Sequence, residues 1–169
     1  MKKCFAAFII IFLFLTGCSS EKERGAIINN PYEIFVKGKV LSYYDTESQI
    51  DENEFDISNC ELKDIQNAKN NLIGTDKNKN IRFISITDSE ITTYKQIAVG
   101  DSIKKVINVF DNEYKIGDNR YSVLFNGTQE EDPANAEKDN SWIWINYITD
   151  GDKITRIMIY DVKFGRESR

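Results

Sequence analysis

The sequence predicts an α+β domain, an antiparallel sheet with short helices packed on one of its faces. Runs rich in isoleucine, valine and aromatic residues recur at strand length, at 34–44, 81–87, 121–126, 142–148 and 154–162. Two other stretches place apolar residues at helical spacing behind a capping signal. The Asp150-Gly151 pair between the last two runs is a hairpin signal, because such turns need positive φ.

The elements follow in chain order. Ile34 to Tyr44 reads as one strand, with Gly38 at a bulge or bend, and Asp45 to Asp56 is acidic and irregular. Ser58-Asn59-Cys60-Glu61 has the spacing of a capping box. Leu62, Ile65, Ala68 and Leu72 then mark one helical face, and Gly74 is the expected C-cap. After the strand Ile81–Thr87, Gly100-Asp101-Ser102 starts a second helix. Its stripe is Ile103, Val106, Ile107 and Phe110. Strands Tyr121–Asn126, Trp142–Ile148 and Ile154–Val162 complete the chain. The polar stretch Gly127–Ser141, with five acids against Lys138, reads as a solvated hairpin loop. Asn80–Asp88 and Lys153–Asp161 echo each other in pattern, each ending in aspartate after a capped helix. Either the domain holds two degenerate helix-plus-sheet repeats, or two isoleucine-rich strands are alike by chance.

The N-terminus carries an address. Lys2 and Lys3 precede eleven apolar residues, Phe5 to Leu15, too few for a bilayer span of about 20 residues. Small residues Thr16 and Gly17 then stand before Cys18. Leu15-Thr16-Gly17-Cys18 resembles the lipobox of a bacterial lipoprotein. The resemblance implies cleavage between Gly17 and Cys18 and a diacylglycerol on the Cys18 thiol. That would hold the protein on the extracytoplasmic face of the cell membrane, since two acyl chains suffice for stable anchoring. The expected organisation is a signal peptide at 1–17, a lipidated cysteine and tether at 18–33, and α+β halves at 34–95 and 96–165.

Removal of residues 1–17 leaves 152 residues and shifts the formal charge from −5 to −7, because Lys2 and Lys3 are lost. A domain this acidic is a poor match for nucleic acid. The chain contains no histidine, which excludes a Ser-His-Asp triad, a Cys-His pair and every His-ligated metal site. With Cys4 in the signal peptide and Cys18 lipidated, Cys60 has no partner for an intrachain disulfide and is expected as a small core residue.

Four aromatic residues are candidates for partner binding. Trp142 and Trp144 lie two apart on a strand, so both point to one face while Ile143, Ile145 and Tyr147 take the other. The tryptophans either pack in the sheet or form an open aromatic platform. Tyr43 and Tyr44 are adjacent, so at least one faces outward. Asp76-Lys77-Asn78-Lys79-Asn80 imitates the start of a calcium loop, but Ile81 and Thr87 stand where glycine and glutamate are needed. Glu130 and Glu131 are neighbours in a loop and cannot hold the fixed separation of a glycosidase pair.

Ile97-Ala98-Val99-Gly100-Asp101-Ser102-Ile103-Lys104-Lys105-Val106, followed by Phe110, resembles the opening helix of small lipoprotein domains of the SmpA/OmlA type. These share a β-lactamase-inhibitor-protein-like architecture, and the resemblance covers residues 96 to 162 plus the anchor. The exit from the helix departs from the pattern: Asp111 replaces the usual glycine and no proline follows. The reading is therefore a non-catalytic, membrane-anchored binding or assembly module at the cell envelope, with an envelope protein as partner and neither cofactor nor metal. The alternative is a sensor of a small molecule or cell-wall ligand, bound in a pocket between helix and sheet.

Overall fold

Isoleucine-rich segments buried on both sides dictate the architecture. The computed structural model describes residues 28, 30–59, 68–110, 114–115, 119–126, 142–161 and 163–164. Its strands are β1 (Glu33–Val36), β2 (Lys39–Ser42), β3 (Asp56–Ser58), β4 (Leu72–Thr75), β5 (Ile81–Ile86), β6 (Tyr114–Lys115), β7 (Arg120–Asn126), β8 (Trp142–Thr149) and β9 (Ile154–Asp161). Strands β1 and β2 pair as a hairpin. The other seven form one sheet in the order β3-β4-β5-β9-β8-β7-β6, antiparallel except where β3 runs parallel to β4.

The fold is mostly β, which corrects the α+β expectation. The one α-helix with both bounds among the described residues is α1 (Ile103–Val109), seven residues long. Leu72 and Gly74, expected at the end of an earlier helix, instead lie inside β4, and Ser58, the expected cap, closes β3. The expected helical residues 60–67, Cys60 among them, lie outside the described residues, as do the loop expected at Gly127–Ser141, the expected signal peptide and most of the expected tether (residues 1–27), and the end of the chain from 165. Tertiary pairing explains the misreading at Leu72-Ile73-Gly74-Thr75. Ile73 sits between Ile57 of β3 and Ile84 of β5, and its burial with backbone pairing on both sides outweighs an apolar spacing that suits a helix equally well.

The 34–44 segment also differs from the single strand expected. Its centre folds into a two-residue turn with positive φ at both Lys37 (44°) and Gly38 (85°), the geometry that joins right-twisted antiparallel strands. Glycine takes that region freely, so one strand becomes the β1–β2 hairpin. The Asp150-Gly151 signal does mark a hairpin. Its loop is longer than two residues, Thr149 pairing with Ile154 and the Asp150 N–H donating to the Lys153 carbonyl at 3.1 Å.

The echoing strands β5 and β9 are direct neighbours, with Phe83 opposite Tyr160 and Ile84 opposite Ile159. They are not equivalents in two helix-plus-sheet units. Their likeness reflects one shared environment, a central strand covered on both faces. The sheet draws β3–β5 from 34–95 and β6–β9 from 96–165.

The main core lies on one face of this sheet. Ile73, Ile84, Ile86, Val123, Ile143, Ile145, Tyr147, Ile157 and Ile159 meet Ile34, Leu41 and Tyr43 of the hairpin and Ile103, Val106 and Phe110 of the α1 segment. The opposite face carries Leu124, Trp142 and Trp144, then Leu72 and Phe83 packed with Ala68, Met158, Tyr160 and Phe164. Between these groups runs a polar row. The Ser122 hydroxyl bonds the Asn146 amide oxygen, and Asn146 Nδ2 donates to Tyr160 Oη at 2.6 Å.

Helix α1 begins where the sequence places it. Ser102 is the N-cap, its Oγ accepting from the Lys104 N–H at 3.3 Å and donating to Asp152 Oδ1 at 3.0 Å. Gly100, at φ +89°, turns the chain so that its N–H reaches the Ile154 carbonyl at 2.8 Å, while the Ile154 N–H donates to the Asp101 carbonyl at 2.9 Å. Replacing Ile159 by Ala should cost about 2–5 kcal/mol in chemical denaturation, because the residue is fully buried between two packed layers. The same truncation at exposed Thr155 should change stability by less than about 0.5 kcal/mol.

Candidate functional site

Arg82 is a charged residue in an isoleucine-rich central strand and needs a counter-charge there. Asp161, at the end of β9, supplies it. Arg82 Nε donates to Asp161 Oδ2 at 2.9 Å and Nη2 to Oδ1 at 3.1 Å, a bidentate fork. The Tyr43 hydroxyl donates to the same Oδ2 at 2.7 Å and lies 2.9 Å from the Arg82 carbonyl, while the Asp161 N–H donates back to Tyr43 Oη at 3.2 Å. The Phe164 N–H closes the cluster on Asp161 Oδ1 at 2.5 Å. This network ties the β1–β2 hairpin to the two central strands. Burial, then the Asp161 charge, pushes the Tyr43 phenol well above its ordinary value, so it stays neutral and donating.

Beside this network lies a cleft of about 440 Å³ lined by Asn59, Thr75, Asp76, Lys77, Lys79, Arg82 and Phe164. A second cleft, about 430 Å³, shares Asn59 and Lys79 and adds Glu47, Glu52 and the β3 residues. Lys79 stands between the two, its Nζ 3.0 Å from Glu47 Oε2. The Glu47 carboxyl is held below its ordinary value mainly by the Lys79 hydrogen bond. The Asp76–Asn80 loop is the β4–β5 turn. Asp76 Oδ1 accepts the N–H groups of Asn78 at 2.8 Å and Asn80 at 3.0 Å, and Lys79 takes positive φ (66°). Burial works against ionisation of Asp76, but these donors outweigh it and hold its carboxyl below the ordinary range. The loop spends its carboxylate on its own backbone. No group of three or more metal-ligating side chains occurs among the described residues.

The four aromatic candidates divide by burial. Trp142 is 1% exposed and Tyr43 4% exposed, so both rings are packed inside. Trp144 is half-buried on the same sheet face as Trp142, opposite Ile143, Ile145 and Tyr147. Tyr44, at 63% exposure, offers its ring to solvent, edge-on to Tyr32 at a centroid distance of 5.3 Å. Gly17 and Cys18 lie outside the described residues. The interface between α1 and the sheet is filled by Ile103, Val106 and Phe110, and the clefts described lie at the β3–β5 side of the sheet instead. Arg82 and Asp161 were not among the residues the sequence singled out as a site. The signal for them was a lone arginine inside Ile81-Arg82-Phe83 and an aspartate ending a second strand of the same pattern.

No protein-family model matches the chain, and neither a curated protein nor a solved structure is significantly similar to it.

Two outcomes follow from the Tyr43 network. Replacing Asp161 by Asn should cost about 2–3 kcal/mol in urea denaturation, since Arg82 would lose a charge-assisted fork in a mostly buried position. The buried phenols of Tyr43 and Tyr147 both ionise above their ordinary value. Their contribution to stability is therefore complete below about pH 10 and lost as pH rises past it, because the unfolded chain releases those protons first. Denaturation midpoints measured from pH 8 to 12 should fall steeply above pH 10, and less steeply in Tyr43→Phe.

Proposed function

We propose that this protein is a lipid-anchored, extracytoplasmic lipoprotein whose domain serves as a non-catalytic binding or assembly module at the cell envelope. The observation that carries the reading is the register of the first eighteen residues: two lysines, eleven apolar residues, Thr16-Gly17, then Cys18. The chain is already fastened to the domain at Ile28, whose carbonyl accepts the Lys95 N–H at 2.9 Å and whose side chain is buried. Ile28 lies ten residue steps after Cys18, a reach of at most about 36 Å, so an acylated Cys18 keeps the domain close to the bilayer. With a formal charge of −7 after cleavage, the lipid and not electrostatic attraction supplies the attachment. An envelope protein is the partner that such a module requires.

Intact mass measurement of the protein extracted from membranes tests the anchor. A chain beginning at Cys18 with a diacylglycerol on its thiol is expected, and Cys18→Ser should abolish both acylation and membrane retention. A mature chain starting elsewhere, or a free Cys18 thiol, would overturn the reading. Cross-linking in intact cells tests the module. One dominant envelope partner should be captured with the anchored protein and lost with Cys18→Ser.

The two clefts that share Asn59 and Lys79 favour a second reading, a sensor of a small molecule or cell-wall ligand. A ligand at a hundredfold excess over its dissociation constant would raise stability by about 2.7 kcal/mol. Thermal-shift screening with soluble cell-wall fragments separates the readings, since a module that binds only protein gives no shift.

A further inference from the structure

Strand β3 ends the seven-stranded sheet, and among the described residues its outer edge carries no pairing strand. The Asp56 N–H donates to the Asn71 carbonyl at 2.9 Å, and the parallel register sets Asp56, Ile57 and Ser58 beside Leu72, Ile73 and Gly74. Main-chain groups of successive strand residues point to alternate sides, so the N–H and C=O of Ile57 point away from β4. Among the described residues no strand pairs on that side. The cleft of about 430 Å³ is lined by the β3 residues together with Glu47, Glu52 and Lys79. A further cleft of about 300 Å³ continues past Glu52 and Asp56 to Asp88.

Charge selects the occupant. Lys79 is balanced by Glu47 and Lys37 by Glu54, whereas no ion pair among the described residues neutralises Glu52, Asp56 or Asp88. We infer that β3 receives an extended, cationic peptide segment of a partner protein by strand addition, its main chain on Ile57 and its lysine or arginine side chains toward Glu52, Asp56 and Asp88. Main-chain bonds to an edge supply affinity in such binding, and side-chain charge supplies selection. The same carboxylates repel the edge of a second copy of this acidic chain, so the charge that admits a basic partner also prevents edge-to-edge self-association. The inference rests on the binding-module reading and gives that module a site and a class of partner.

The test uses the full-length protein and three dye-labelled, end-blocked hexapeptides in fluorescence anisotropy. These are alternating valine–lysine, alternating valine–glutamate, and the valine–lysine peptide N-methylated on alternate amides. The lysine peptide should bind and the glutamate peptide should not. The N-methylated peptide should bind at least about tenfold more weakly, because it keeps the charge but cannot form the edge bonds. Ile57→Pro removes only the outward donor and leaves the β3–β4 ladder intact, so it should weaken the lysine peptide by about tenfold with an unchanged melting profile. The Glu52→Gln/Asp56→Asn pair should weaken it and flatten its salt dependence. Equal affinity for the N-methylated and parent peptides overturns strand addition, as does undiminished binding to a folded Ile57→Pro. If that variant does not fold, the N-methylated peptide decides alone. Absence of lysine-peptide binding also overturns the site. Capture of an envelope partner by cross-linking would then leave the module standing, and failure of both would remove the module with it.

Discussion

Strand β9 must bury both of its faces while satisfying a polar group at each end, and the rest of the fold is arranged around that constraint. Its central residues Ile157 and Ile159 are wholly buried between β5 and β8, under α1 and the β1–β2 hairpin. At its start, Ile154 exchanges backbone bonds with Gly100 and Asp101 and so fixes where α1 begins. At its end, Asp161 accepts from Arg82 and Tyr43 and so fixes where the hairpin docks. A short helix and a two-stranded hairpin are marginal in isolation. Here each is held through one end of the same strand, and the apolar surface between those ends supplies the main stabilisation.

The polar network at Asp161 is placed where a deeply buried ion pair would be unfavourable. Arg82 and Asp161 keep side-chain exposures of 20% and 14%, enough contact with water to limit the desolvation cost, yet the fork geometry and the Tyr43 hydroxyl satisfy the buried oxygens. The arrangement gives register more than raw stability. Shifting the hairpin by one residue would turn Tyr43 away from Asp161 and carry the buried Leu41 toward solvent. The Ser122–Asn146–Tyr160 row does similar work on the opposite face, since these strands can satisfy their buried hydroxyl and amide groups in one alignment only.

Charge is distributed unevenly over the described residues. Along β7, β8 and β9 the side chains are dominated by apolar packing, while carboxylates with no ion pair among the described residues line the clefts beside the three-residue strand β3. A domain of this acidity gains no electrostatic attraction to an anionic surface. The exposed Tyr44 ring lies on the hairpin, apart from the carboxylates lining the β3 clefts, and the buried Trp142 and Tyr43 rings belong to the packing.

Several parts of this protein were legible in its residues alone, for identifiable reasons. The β5, β7, β8 and β9 segments and helix α1 were readable because each has a local signature: β-branched runs, a Gly-Asp-Ser start, an Asp-Gly turn. The N-terminal address stays an expectation drawn from a linear pattern, and residues 1–27 lie outside the described ones. The 34–44 hairpin and β4 were misread, since Lys37-Gly38 and Leu72-Ile73-Gly74-Thr75 are locally compatible with a bend in a strand and with a helix end. For the hairpin the deciding element is the positive-φ turn at Lys37-Gly38, and for β4 it is burial and backbone pairing with β3 and β5, which a single segment does not contain. The same holds for the joining of Tyr43, Arg82 and Asp161 and for the place of β3 at the end of the sheet. By itself the sequence determined that the segments of β5, β7, β8 and β9 carry enough apolar surface to be strands. The tertiary structure alone decided which of them pair, because pairing energy belongs to two segments at once.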